Sequence, residues 1–507
     1  MRFLGKTWVR VVLGAALLVL AAFAALAYLM YPAMRQPPPP QFAAPADRTE
    51  ANRQDIEYAQ QALHRMDRSF SREAWASFDA QLDELEQRAG ELDAATLEMG
   101  IAKAVATARN GHTNLLGAMR GLTLSSIPLR LYWFDDGLRV VKTDPVHADL
   151  LGARVIEVGG RSPTQIVEAV SPYVGGSPSL ARELAIYPME SPQALHAIGL
   201  MVTPGSANLK LETPDGRIVE RNLAALDVPA SGPAPQKSPM TLTFDPRELH
   251  WPRRELSPVP LPAVADYPQP VGDGGEWAHV LDAREVPFTL RDPNHFYWST
   301  YLAGNQILFL QINTIMDQPG NEPLSAFLEK VYADAATKQP RHAIVDLRWN
   351  PGGSYQHVVD FTERLPQLVP PSGRIFILTS GNTFSAGIVT TARLKYFSGA
   401  RGEIVGEPIG DFPQFWAEAA TRIVLPNSGL RIGYATGYHD WEHGCSLAKI
   451  LVCYLPNYSL GVAAGSLAPT VPVSWSFEDY VNGRDTAIET ILRQIGNSAQ
   501  NSSAGAG

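Results

Sequence analysis

The chain reads as a multi-domain α/β protein, and three features predict it. Between residues 301 and 495, short apolar runs (307–312, 343–349, 374–380, 403–408) alternate with helix-length stretches (322–337, 386–397). That alternation predicts parallel strands joined by crossover helices. Residues 47–120 carry helical spacing, and residues 121–225 carry short strand-like runs. The length of 507 residues exceeds what one hydrophobic core accommodates.

From the start of the chain, Arg2, Lys6 and Arg10 precede an uncharged run over residues 11–31. Such a run spans about 31 Å as a helix, enough to cross a bilayer. Residues 1–34 are therefore expected to be a membrane anchor, with a cytoplasmic start and an extracytoplasmic remainder. The alternative is a signal segment cleaved near Ala25-Leu26-Ala27, which would leave a secreted protein. Residues 35–46 form a proline-rich tether, expected to be extended and stiff. In the helical region 47–120, Leu97, Ile101, Val105 and Ala108 share a face, Asp93 is a natural N-cap, and Asn110-Gly111 is a stop signal.

Residues 121–225 hold strand candidates at 129–133, 138–141, 154–158 and 208–212, with Gly159-Gly160 as a tight turn. The run 151–161 resembles the part of a PDZ-type domain where a strand ends in a turn, which implies a divergent PDZ-like module. Domains of that type bind extended peptide ends by strand addition. The alternative is a plain β spacer. Residues 226–300 are proline-rich and aperiodic, a linker. In the core, Pro426-Asn427-Ser428-Gly429 joins two short runs as a hairpin. A last helix falls near 485–495, and the small, polar tail 496–507 is expected to be disordered.

A net charge of −9 and a pI near 5.7 argue against nucleic-acid binding. Cys445 and Cys453 either pair across a short loop, as suits an exported protein, or stay as buried thiols. His439, Asp440, Glu442 and His443 lie close in sequence without a regular zinc-ligand spacing, so a solvated loop is expected there and no metal.

The chemistry centres on Gly381-Asn382-Thr383-Phe384-Ser385-Ala386-Gly387, between an apolar strand and a helix. A serine at such a turn presents its hydroxyl at the positive end of a helix, where an oxyanion is stabilised. The plainer role is an N-cap. Two neighbours favour a nucleophile: the strand ending in Asn350-Pro351-Gly352-Gly353, and the later Val405-Gly406-Glu407-Pro408. In this order and spacing, the three anchors resemble peptidase family S41, the carboxyl-terminal processing or tail-specific proteases. The match spans roughly residues 301–492. It implies a crotonase/ClpP-like core and hydrolysis of protein or peptide substrates by a serine, with no cofactor.

Familiar members of that family use a lysine base in a Gly-Glu-Pro-x-x-Gly-Lys segment. Here that position is Phe412, and no lysine lies between Lys395 and Lys449. A tricorn-like branch uses histidine from an upstream Asp-Gly-His-Thr motif, matched here by Asn110-Gly111-His112-Thr113. The resemblance therefore implies His112 as base, in place of a cap residue, since imidazole can take and return a proton near neutral pH. Glu407 is the first choice for the group that orients it, and Glu418 the second. Glu407 could equally brace its loop, and Asp440 stays open. The Ala386 N–H and that of Gly353 or Gly352 are the oxyanion-hole candidates. A non-catalytic peptide- or ligand-binding relative on the same fold is the main alternative. An α/β-hydrolase esterase is the other, although Thr383 stands where that fold expects glycine.

Overall fold

The computed structural model describes residues 30–116, 123–226 and 277–504, apart from 283, 292–294, 303–305 and 319, with scattered positions from 15 to 24. Most of the expected anchor and the greater part of the expected linker (227–276) lie outside the described residues. Among the described residues no helix is long and apolar enough to cross a membrane.

Three helices open the fold: α1 (Arg48–Met66), α2 (Arg72–Gln87) and α3 (Ala94–Ala106). Asp47, Ser71 and Asp93 cap them by accepting from the N–H groups of Glu50, Ala74 and Thr96. The last helix stops earlier than Asn110-Gly111, at Ala106, and Arg109 takes the left-handed turn with φ +51°. The helices bury Leu63, Phe78, Leu82, Leu97 and Val105 in one core with Ile423, Leu425 and Ile432 from the 421–434 hairpin. Strand Leu115–Leu116 also pairs with that hairpin's Arg431–Ile432. The N-terminal helices are thus part of the core region and cannot swing free of it. The expected tether is docked as well, because its carbonyls find donors on the helices. Tyr58 Oη donates to the Pro38 carbonyl, and Gln54 Nε2 to that of Ala43.

An antiparallel sheet follows: β1 (Leu129–Phe134), β2 (Gly137–Thr143), β3 (Arg154–Val158), β4 (Ser206–Glu212) and β5 (Ile218–Ala224), paired in sequence order. Gly159 and Gly160 make the expected turn with φ of +59° and +76°. Helices α4 (Pro163–Val170) and α5 (Pro178–Leu184) lie between β3 and β4.

The third unit is a six-stranded sheet. Its strands are β6 (Tyr297–Leu302), β7 (Ile307–Ile312), β8 (His342–Asp346), β9 (Ile375–Thr379), β10 (Gly402–Gly406) and β13 (Val471–Pro472). The order is β13-β10-β9-β8-β7-β6, parallel except for β6. Every residue of β7 and β9 is buried, as for strands covered on both faces. Helices α6 (Leu324–Lys338), α7 (Val359–Leu368) and α8 (Ala386–Ser398) make the crossovers. A separate pair, β11 (Gln414–Ala417) and β12 (Gly437–Asp440), runs antiparallel.

Two expectations change. The segment given to the linker contributes β6 and the short strand Ala278–His279 on β2, because its last residues are aromatic and apolar enough to pack. The final helix α9 (Thr486–Ala504) runs through most of the tail expected to be disordered, propagating from a first turn anchored by Asp485.

Candidate active site

The carboxyl ends of β8, β9 and β10 lie side by side, the edge where open α/β sheets place ligands. The loop after β8 is pinned by buried charge: Arg348 donates to Asp346 at 2.6 Å and to Asp485 at 2.8 Å. Asn350 then organises the turn. Its Nδ2 donates to the Ile312 carbonyl, its Oδ1 accepts from Gly352 N–H at 2.9 Å, and its carbonyl accepts from Phe384 N–H. The loop after β9 is tied to this turn by two hydroxyls. Ser380 Oγ donates to the Arg348 carbonyl and Thr383 Oγ1 to that of Leu347.

This framework holds Ser385 at φ +50°, ψ −120°, a conformation that only a well-braced non-glycine residue keeps. Strain of this kind costs about 1–3 kcal/mol and gathers at functional sites. Ser385 precedes the first turn of α8 without capping it. The bland N-cap reading therefore does not describe its hydroxyl, which sits at the positive end of the helix. Gly352 (φ +118°) permits the approach: a β-carbon there would come within 2.6 Å of Ser385 Cβ and 3.1 Å of Ser385 Oγ.

The candidate oxyanion donors separate. Gly352 N–H is committed to Asn350 Oδ1, so Gly352 acts as the space-maker beside the serine. Neither Ala386 N–H nor Gly353 N–H donates to another group among the described residues. Gly352 also lies close to the first of them, since a β-carbon on it would sit 3.1 Å from Ala386 N.

His112 sits in a turn braced on every side. Gly111 N–H donates to Asp411 Oδ2 at 3.0 Å, Thr113 Oγ1 donates to Asp67 Oδ2 at 2.7 Å, and Asn110 Nδ2 donates to Thr113 Oγ1. Buried Asp67 also accepts from Ala435 N–H, which ties the turn to the C-terminal hairpin. The imidazole stacks on Phe384, the residue before Ser385, at 4.4 Å between centroids, and on Phe415 at 5.1 Å. Neither ring nitrogen has a hydrogen-bond partner among the described residues. Nδ1 lies 3.7 Å from Asp411 Oδ2, within ion-pair range and longer than a hydrogen bond. Burial pushes the Asp411 carboxyl up, and the neighbouring His112 and the N–H groups of Phe412 and Gly111 oppose that rise.

The acid facing His112 is thus Asp411, which the sequence reading passed over. Glu407 instead accepts from Ser474 Oγ at 2.6 Å and lies 3.5 Å from Arg182, the bracing role held open for it. Glu418 meets His439 Nε2 at 3.2 Å. Asp440 pairs with Lys449 and His443. Asp411 lies one residue before the Phe412 that replaces the lysine. An acid at that point of the loop is the signal that could have found it. The Cys445 and Cys453 sulfurs are bonded, with α-carbons 6.2 Å apart. Among the described residues no group of three or more acids, histidines or cysteines is placed to hold a metal.

Behind Glu407 lies a second buried carboxyl, Glu183 on α5. It accepts from Asn382 Nδ2 at 3.2 Å and lies 3.7 Å from Arg182. Burial first, then the charge of Glu407, push it up to about 7, against the pull of Arg182 and Asn382. The folded state therefore keeps this proton to higher pH than the unfolded chain does. Stability from this site is complete below the ordinary glutamate value of 4.5 and is lost as pH rises toward about 7. The expected loss is on the order of 3 kcal/mol. Tm of wild type should fall between pH 5 and 7.5 more steeply than Tm of Glu183→Gln. Identical profiles would contradict this.

No family model matches the chain. No curated protein matches it either. Among solved structures, the fold is similar to that of mature CPAF. The complex with lactacystin has a TM-score of 0.51 and 14% identity, covering 86% of this chain and 96% of that one. Another crystal structure of mature CPAF gives 0.50 and 15%, with coverage of 86% and 94%. The tricorn protease gives 0.33 and 13%, covering 89% of this chain and 37% of that one. The chain therefore shares its fold with mature CPAF, a likeness that runs through 86% of its length.

Proposed function

We propose that this protein is a serine endopeptidase of the S41 type, tethered to a membrane by residues 1–34 and acting on extracytoplasmic proteins or peptides. The observation that carries the reading is the strained Ser385, whose neighbour Phe384 stacks on the imidazole of a His112–Asp411 pair, with two N–H groups unengaged among the described residues. In this reading the six-stranded sheet is a crotonase/ClpP-like core and the β1–β5 sheet a PDZ-like module.

Ser385 Oγ attacks the peptide carbonyl while His112 takes its proton. Asp411 holds the imidazole and offsets its positive charge. Ala386 N–H and Gly353 N–H receive the oxyanion. His112 then gives the proton to the leaving amine. Water, deprotonated by His112, attacks the acyl-serine to release the acid and restore the hydroxyl. Catalytic hydrogen bonds are often long in unliganded enzymes, and the 3.7 Å separation is expected to close when substrate excludes water.

One observation favours a second reading, a non-catalytic peptide-binding relative: His112 makes no hydrogen bond through either ring nitrogen among the described residues. Incubation of the full chain in detergent with an unstructured reporter protein separates the two. Cleavage by wild type and none by Ser385→Ala is the expected result. Equal cleavage, or none by either, would overturn the proposal.

A further inference from the structure

A cavity of about 420 Å³ opens where the helical region, the α4–α5 connection and the loop after β10 meet. Two of its lining residues are cations, Lys103 on α3 and Arg109 at the left-handed turn that follows. Both are exposed, and neither side chain makes a hydrogen bond or ion pair among the described residues. Among the described residues no acid lines the cavity. In a chain of net charge −9, an unbalanced pair of cations in one concavity is out of keeping with the rest of the molecule. Low-dielectric walls focus such a field and raise the local concentration of anions.

The cavity adjoins the candidate active site. Its wall at Gly175 and Gly176 packs against the His112 turn: a β-carbon on Gly175 would lie 2.6 Å from the Asn110 carbonyl, and one on Gly176 would lie 3.4 Å from Gly111 Cα. Its rim includes Phe412, which is 36% exposed and follows Asp411 directly. Arg109 holds φ +51°, a conformation unfavourable for arginine, three residues before His112. Apolar Val174 and Pro178 complete a surface suited to the methylenes of a side chain.

We infer that this cavity is a substrate subsite that takes a carboxylate of the bound peptide through Lys103 and Arg109. The inference rests on the peptidase reading and deepens it by naming a substrate class: peptides that carry negative charge near the cleaved bond. The carboxylate comes from an aspartate or glutamate side chain, or from the peptide's own C-terminus. Both present the same planar anion to a guanidinium.

The test measures binding, so that it does not depend on turnover. Fluorescein-labelled peptides are titrated onto full-length Ser385→Ala in detergent. The set places Glu or Gln at each position around the expected cleavage point, with the C-terminus free or amidated. One position should favour Glu over Gln by about tenfold, an advantage that shrinks at high salt. Lys103→Gln combined with Arg109→Asn should abolish it. Asparagine tolerates the left-handed turn, so this pair removes charge and preserves the backbone. If the pair fails to fold by circular dichroism, Lys103→Glu alone should erase the preference for Glu, since its charge offsets that of Arg109. A preference that follows the free C-terminus, and is lost in the variants, assigns the pocket to the terminal carboxylate. Equal binding of charged and neutral peptides, or a preference that survives in the variants, overturns the inference. Failure of the peptidase reading would appear separately, as wild type that binds these peptides and never cleaves them.

Discussion

His112→Ala lowers kcat for peptide cleavage by roughly 10³–10⁵ and leaves KM nearly unchanged. The reason lies in what the imidazole touches. It is clamped between Phe384 and Phe415, and its Nδ1 faces a single carboxylate. Its loss removes the group that carries the proton in both halves of the reaction and leaves the loops that bind substrate intact. The Asn110 and Thr113 bonds that shape the turn do not involve the ring, so the variant should fold. Steady-state kinetics with Ser385→Ala and the double variant checks the assignment. Residues that work as one unit are non-additive, so the double variant should be no worse than either single one. A fall of less than about tenfold in His112→Ala would place the base elsewhere.

Asp411→Asn is expected to lower kcat by about 10²–10⁴, since the amide keeps the shape and removes the charge that holds the imidazolium. Stability should move the other way. Burial pushes the Asp411 carboxyl up, so ionising it in the folded protein opposes folding. By linkage, a raised carboxyl contributes stability at low pH that is lost as pH rises through its folded value. Removing the charge should therefore leave Tm at pH 8 unchanged or higher while activity collapses. That split separates a positioning residue from a structural brace. A large drop in Tm together with activity would mean that Asp411 serves only to hold Gly111 N–H and its own loop.

The sequence shows its strands clearly, because β7, β8 and β9 are apolar runs bounded by glycine and proline. Ser385 was legible for a local reason: strand, turn, serine and helix are contiguous. His112 was legible only through a motif, since its partner elements lie some three hundred residues away. Asp411 was missed because its role depends on that long-range contact. Glu407 is the acid next to β10 in sequence, and the loop turns it toward Ser474 and Arg182 instead. The docked tether was equally hidden. A proline-rich stretch looks like a free spacer until Tyr58 and Gln54 supply donors for its carbonyls. The end of α3 was misplaced because Arg109, not Gly111, adopts the positive φ.

The most direct test of the central claim is the rate at which a fluorophosphonate probe modifies the protein, with the adduct located by peptide mass spectrometry. The account predicts one adduct, on Ser385, absent in Ser385→Ala and slowed at least about a hundredfold in His112→Ala and Asp411→Asn. An unmodified Ser385 in wild type, or labelling as fast without His112 as with it, would contradict it.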